Sequence, residues 1–175
     1  SPDGKWLVFS ESGANGSSDI LAIDLMGPEA SRPHTPRVLL QTPARETNGR
    51  ISPDGHWLAY MSDSSGRDEV YVQPFPGPGP SRPVSVGGAR EPVWSHSGRE
   101  LFFVPASGDG LIVVPVTLTP TTFAAGQPRA QSRGRFKPNV NSNTPYDISL
   151  DDRRFLRVQP GRLDSAITRI EVLLN

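Results

Sequence analysis

The sequence predicts an all-β repeat protein built from short four-stranded units, and three features predict it. A tetrad returns four times along the 175 residues: Ser1-Pro2-Asp3-Gly4, Ser52-Pro53-Asp54-Gly55, Ser95-His96-Ser97-Gly98 and Ser149-Leu150-Asp151-Asp152. Each copy leads into an apolar run: Trp6-Leu7-Val8-Phe9, Trp57-Leu58-Ala59-Tyr60, Leu101-Phe102-Phe103 and Phe155-Leu156. No long segment carries the i, i+3, i+4, i+7 spacing of a helix, and 19 prolines and 17 glycines are spread through the chain. Successive tetrads begin 51, 43 and 54 residues apart, the period of a repeat array.

The tetrad reads as a turn between antiparallel strands. Proline fixes φ near the value that the second position of a type I turn needs. Asp follows, a short polar side chain able to bond the local backbone. Glycine then takes the left-handed conformation that closes the hairpin. The third copy has His96 in place of proline, and the fourth has Leu150 there and Asp152 in place of glycine. Asp enters the left-handed region more readily than most residues, so the fourth turn is expected to form at some cost, and both turns to be looser than 52–55.

The strands follow in a fixed order. After each tetrad comes the apolar run. Next is a second strand: Ile20-Leu21-Ala22-Ile23, Val70-Tyr71-Val72, Leu111-Ile112-Val113-Val114 and a stretch from Ile167 to Leu174. A weaker third strand is expected at Arg37-Val38-Leu39-Leu40, Pro83-Val84-Ser85-Val86 and Pro128-Arg129-Ala130. A short strand precedes each later tetrad, at Arg50-Ile51, Pro92-Val93-Trp94 and Tyr146-Asp147-Ile148. Four-stranded units at this period are the blades of a β-propeller. The predicted blades span about residues 1–44, 45–87, 88–138 and 139–175.

The run after the tetrad is apolar at nearly every position, whereas a strand with one wet face alternates. Both faces are therefore expected to be covered by neighbouring blades, with Trp6 and Trp57 on one face and Leu7 and Leu58 on the other. Burial of each such side chain is worth roughly 1.5–3 kcal/mol. The expected blade core contains Trp6, Phe9, Trp57, Tyr60, Trp94, Phe103 and Phe155. The first unit lacks an opening strand and the last lacks a clear closing strand. The material thus amounts to about three and a half blades, read as a C-terminal piece of a larger propeller. The rival is a compact form in which the last strands pair with the first. An open arc would expose strand edges and blade faces that favour self-association.

Composition narrows function. The charge is balanced at 18 acidic and 18 basic side chains, which argues against a nucleic-acid partner. The absence of cysteine excludes disulfides and thiolate metal sites. No apolar stretch of membrane-spanning length occurs.

Motifs that carry chemistry are few. His34, His56 and His96 lie in separate loops and turns and do not suggest a converging metal site. Ser97, His96 and Asp54 supply the residue types of a hydrolytic triad, but neighbours in sequence rarely aim at each other and no Gly-x-Ser-x-Gly elbow occurs. The acidic pairs Asp151-Asp152 and Asp68-Glu69 read as turn and loop residues. Calcium finds no Asp-x-Asp-x-Asp-Gly loop. Asn15-Gly16-Ser17 matches a glycosylation sequon but reads as a glycine-serine loop. Phe75-Pro76-Gly77-Pro78-Gly79-Pro80 reads as a hairpin loop in preference to a proline-motif ligand. Arg129, Arg133, Arg135 and Lys137 form a basic cluster open to an anionic partner. No cofactor, metal or catalytic residue is expected.

The tetrad and its Trp-Leu run, followed by Asp68-Glu69-Val70-Tyr71-Val72-Gln73-Pro74-Phe75-Pro76, resemble the WD-like repeats of the TolB-type propeller family. Arg90-Glu91-Pro92-Val93-Trp94-Ser95 through Phe103 matches the next blade, and Tyr146-Asp147-Ile148-Ser149 through Phe155-Leu156 the one after. The last segment, Ile170-Glu171-Val172-Leu173-Leu174-Asn175, resembles the closing strand of propellers that end bacterial serine/threonine kinase chains. The resemblance implies a non-catalytic module that binds a protein, peptide or small ligand on its loop face, on the periplasmic or outer side of a membrane. Its first implication is the sensory or scaffolding part of a bacterial receptor-type serine/threonine kinase; the alternatives are an accessory propeller gating a peptidase or hydrolase domain, or a stand-alone TolB-like periplasmic interaction protein. The chain itself has no glycine-rich phosphate loop, His-Arg-Asp loop or Asp-Phe-Gly, so kinase chemistry would belong to another domain.

Overall fold

The computed structural model describes residues 1–13, 16–26, 35–136, 144–158 and 170–174. The first sheet holds β1 (Trp6–Ser12), β2 (Ser18–Asp24) and β3 (Arg37–Leu40). The second holds β4 (Glu46–Ile51), β5 (Trp57–Ser62), β6 (Glu69–Pro74) and β7 (Arg82–Pro83). The third holds β8 (Ala89–Trp94), β9 (Glu100–Pro105) and β10 (Asp109–Leu118), with β11 (Phe123–Ala125) and β12 (Arg129–Arg135) both on the outer side of β10. The fourth holds β13 (Tyr146–Ile148), β14 (Arg154–Val158) and β15 (Ile170–Leu174). Neighbouring strands are antiparallel throughout, and no α-helix occurs among the described residues. These are the blades of a β-propeller.

All four tetrads close in the same way. The fourth residue donates its amide to the serine carbonyl, at 3.0 Å in Gly4, 2.9 Å in Gly55, 3.0 Å in Gly98 and 2.8 Å in Asp152. Their φ angles are 70°, 77°, 69° and 58°, all left-handed. Each serine hydroxyl accepts an amide from the strand beyond: Trp6 at 2.8 Å, Trp57, Glu100 and Arg154 at 3.0 Å. In the first, second and fourth copies that hydroxyl also donates to the Asp two residues on. The looseness expected of the third and fourth turns is absent. Ser149 makes the same bonds as Ser52, and Ser95 keeps two of the three, with the Ser97 hydroxyl 3.2 Å away where the other copies have Asp; these bonds need neither proline nor glycine.

Among the described residues, three apolar cores lie between four blades. Ile20 and Ala22 of the first blade meet Leu58, Tyr60 and Phe75 of the second. Trp57, Ala59, Val70 and Val72 of the second meet Trp94, Leu101, Phe103 and Phe123 of the third. Phe102, Val104, Leu111 and Val113 of the third meet Tyr146, Ile148 and Phe155 of the fourth. Successive residues of one strand thus serve successive cores, as the two-residue period of a strand requires. β5 is buried at all six positions because a blade covers each face.

The outer blades differ from the expectation of full cover. Leu7 stands at the repeat position of Leu58, yet Leu7 is 50% exposed and Leu58 fully buried. Neither Leu7 nor Phe9 belongs to any of the three cores. Phe9, on the same face as Leu7, is half-buried, and so is Trp6, which meets Phe75 edge-on at 5.6 Å. At the far end Leu156 is 45% exposed. Trp57, Tyr60, Trp94, Phe103 and Phe155 are buried.

Other strands differ in extent. β7 stops at Pro83, with Val84 turned inward and Val86 almost fully exposed. β11 has no counterpart in the expected repeat, and its Phe123 contacts both Trp57 and Trp94. The first strands β4 and β8 are longer than predicted because each contains a bulge. Asn48 (φ 56°) and Glu91 (φ 60°) occupy those bulges, each four residues before its tetrad serine. Of the expected strand 167–174, residues 167–169 lie outside the described residues.

Candidate binding pocket on the propeller axis

The first strand of each blade ends at a tetrad, so the turns hold the ends of β4, β8 and β13 near one another. A cavity of about 400 Å³ lies where they converge. Arg50, Val93 and Asp147 line it, each standing two residues before a tetrad serine, together with Ile51, Trp94 and Tyr146. Pro2, Pro53 and His96 of the tetrads form its rim.

Aromatic side chains stitch the first strands together. The Trp94 indole N–H donates to the Arg50 carbonyl at 2.9 Å, joining blade three to blade two. The Tyr146 hydroxyl donates to the Glu91 carbonyl at 2.7 Å, joining blade four to blade three. Arg50 reaches across the cavity to donate to Thr144 Oγ1 at 3.1 Å. Its guanidinium makes no ion pair with a carboxylate among the described residues. The cavity therefore offers a cation, an anion and an apolar wall on one surface.

Next to the lining residue Tyr146, Glu91 is a buried acid. The residue is 4% exposed, and its Oε2 has no hydrogen-bond partner among the described residues. Burial pushes its carboxyl up to about 7, and the neighbouring Arg90 only partly opposes this. Burial likewise raises the Tyr146 hydroxyl well above its usual value, with Glu91 adding to the effect.

The remaining sequence candidates separate. His56 is an exposed turn residue. His96 has Asp152 beside it, with Nδ1 3.5 Å from Oδ1, whereas Asp54 is engaged by its own turn at Ser52 and His56. Asp68 pairs with Arg45 at 2.7 Å. Glu69 is buried and accepts the amides of Gly87 and Gly88 at 2.8 Å. Asp151 accepts the Arg153 amide and the Ser149 hydroxyl, which hold its carboxyl below the usual range. Arg129 pairs with Glu100 at 2.8 Å. Phe75 is buried, so the proline-rich segment begins as part of a core. His34, Asn15 and Lys137 lie outside the described residues, and no three His, Asp or Glu side chains cluster as metal ligands among those described. No described helix is long and apolar enough to cross a membrane.

Sequence reasoning placed Arg50, Val93 and Asp147 on strands and gave them no role. Their common offset from the tetrad serine is the signal that finds them. Glu91 carries no such mark, because nothing local reveals a bulge.

The geometry defines a class, the β-propeller, and solved structures of several proteins, TolB among them, are similar to it. TolB from Acinetobacter baumannii superposes with a TM-score of 0.64 at 17% identity, over 99% of this chain and 39% of that one. A puromycin-hydrolyzing peptidase from Mycobacterium tuberculosis gives 0.65 at 20% identity, over 98% and 28%. The β-propeller domain of the Trilobed protease from Pyrococcus furiosus gives 0.53 at 15%, over 97% and 50%. The chain thus spans half or less of each of these three chains. No family model matches the sequence.

Proposed function

We propose that this chain is a non-catalytic interaction module that receives a peptide, or a loop of a partner protein, at the axial pocket. One observation carries the reading: Arg50, Val93 and Asp147, from three blades, face one cavity of about 400 Å³. A cation, an apolar side chain and an anion held on rigid strands suit a ligand of mixed charge, and a peptide is such a ligand. The resemblance of residues 170–175 to a kinase-terminal closing strand makes the sensory or scaffolding part of a bacterial receptor-type serine/threonine kinase the favoured context. The likeness to the mycobacterial peptidase supports a second context, an accessory propeller beside a hydrolase domain. The domains that share its polypeptide separate the two.

Random peptides displayed on phage and selected on the protein test the site. Selected peptides are expected to bind the Arg50→Ala/Asp147→Ala variant at least about tenfold more weakly, the loss of one to two charge-assisted hydrogen bonds. Unchanged affinity in a folded variant would remove the pocket from the reading.

A further inference from the structure

The repeated tetrad departs from its own pattern at position 96, where proline is replaced, and at position 152, where glycine is replaced. The structure sets these two departures against each other. Oδ1 of Asp152 accepts the amide of His96 at 2.7 Å, and Oδ2 accepts the amide of Ser97 at 3.0 Å. A carboxylate that takes two successive backbone amides fills an anion-binding nest. Proline at 96 would remove one donor and put its ring where the carboxylate sits. Glycine at 152 would remove the acceptor.

The junction one blade earlier shows what the pair replaces. There the second residue of one tetrad, Pro53, faces the fourth residue of the next, Gly98. A Cβ on Gly98 would lie 3.9 Å from the Cδ and Cγ of the proline ring. His96 and Asp152 occupy the same two positions one junction on. An apolar proline-to-glycine contact has become a polar clamp.

We propose that His96 and Asp152 are a coupled pair, and that Asp152 is a positioning residue which clamps the fourth tetrad to the third and fixes His96 on the pocket rim. The positioning role rests on the axial pocket being the binding site, whereas the clamp is independent of it. Arg50 and Asp147 lie on different blades across the cavity. The junctions between blades two and three and between blades three and four together set the width a ligand meets, and the clamp ties the second of these at the rim while Phe102 and Phe155, with ring centroids 5.0 Å apart, tie it below.

A double-mutant cycle on Asp152→Gly and His96→Pro tests the clamp without ligand. Asp152→Gly is expected to speed exchange of the His96 and Ser97 amides at least about tenfold, although glycine suits the left-handed turn better. His96→Pro is expected to destabilise alone. The double variant, which restores the pairing of Pro53 with Gly98, is expected to recover most of the loss. In the unmutated protein the two amide resonances should follow a carboxylate titrating below the ordinary aspartate range, and this should vanish in Asp152→Asn. Additive effects, or amides that ignore that titration, overturn the clamp. Coupling with no change in affinity of the phage-selected peptides between the unmutated protein and Asp152→Gly overturns the positioning role alone.

Discussion

Glu91 makes the stability of this propeller depend on pH in an unusual direction. Its carboxyl is buried on β8 with Oε2 unpartnered among the described residues, and burial moves its pKa from 4.5 to about 7. The folded protein therefore holds a proton that the unfolded chain releases from about pH 4.5 upward. Its contribution is complete below that value, declines as pH rises through the interval, and is flat above about 7. One pKa unit is worth about 1.4 kcal/mol, so the full decline is about 3 kcal/mol. Glu91→Gln keeps the shape, cannot ionise, and removes the decline. Urea unfolding of both proteins at constant ionic strength from pH 4.5 to 8 measures this, because the difference between the two curves cancels every other titrating group. The variant should match the unmutated protein near pH 4.5 and exceed it by about 3 kcal/mol at pH 8. A difference that stays constant across this range, or a variant weaker at pH 8, would refute the assignment of a buried, uncompensated acid.

Two further predictions address the blades. Trp57 is 4% exposed, packs on Phe123 and donates to the Thr119 carbonyl at 2.9 Å, so Trp57→Ala should cost about 3–5 kcal/mol by chemical denaturation. A loss below about 1 kcal/mol would contradict its place between blades two and three. Leu58→Ala and Leu7→Ala alter the same repeat position in different cover: the first should cost about 2–5 kcal/mol and the second less than about 1 kcal/mol, and equal losses would show that exposure at Leu7 does not govern its worth.

The turns and strands were legible in the sequence because their causes are local. Ser52 needs only Asp54 and Trp57, all within five residues, to close its turn, and the same short-range bonds recur at Ser1 and Ser149. The continuous apolar runs likewise announced strands covered on both faces. What the sequence could not settle was which runs receive that cover: Leu7 and Leu58 read alike, and only the neighbouring blade distinguishes them.

The candidate site depends almost wholly on tertiary structure. Arg50, Val93 and Asp147 lie on three separate blades, and only the packing of those blades brings them to one cavity. The bulge that buries Glu91 answers to register across β8 and β9, not to its neighbours in sequence. The substitutions at 96 and 152 looked like two unrelated flaws in a motif until the packing of blade four on blade three joined them. Local chemistry, acting over a few bonds, wrote the repeat. The relative placement of the blades, set by long-range packing, decided which side chains meet.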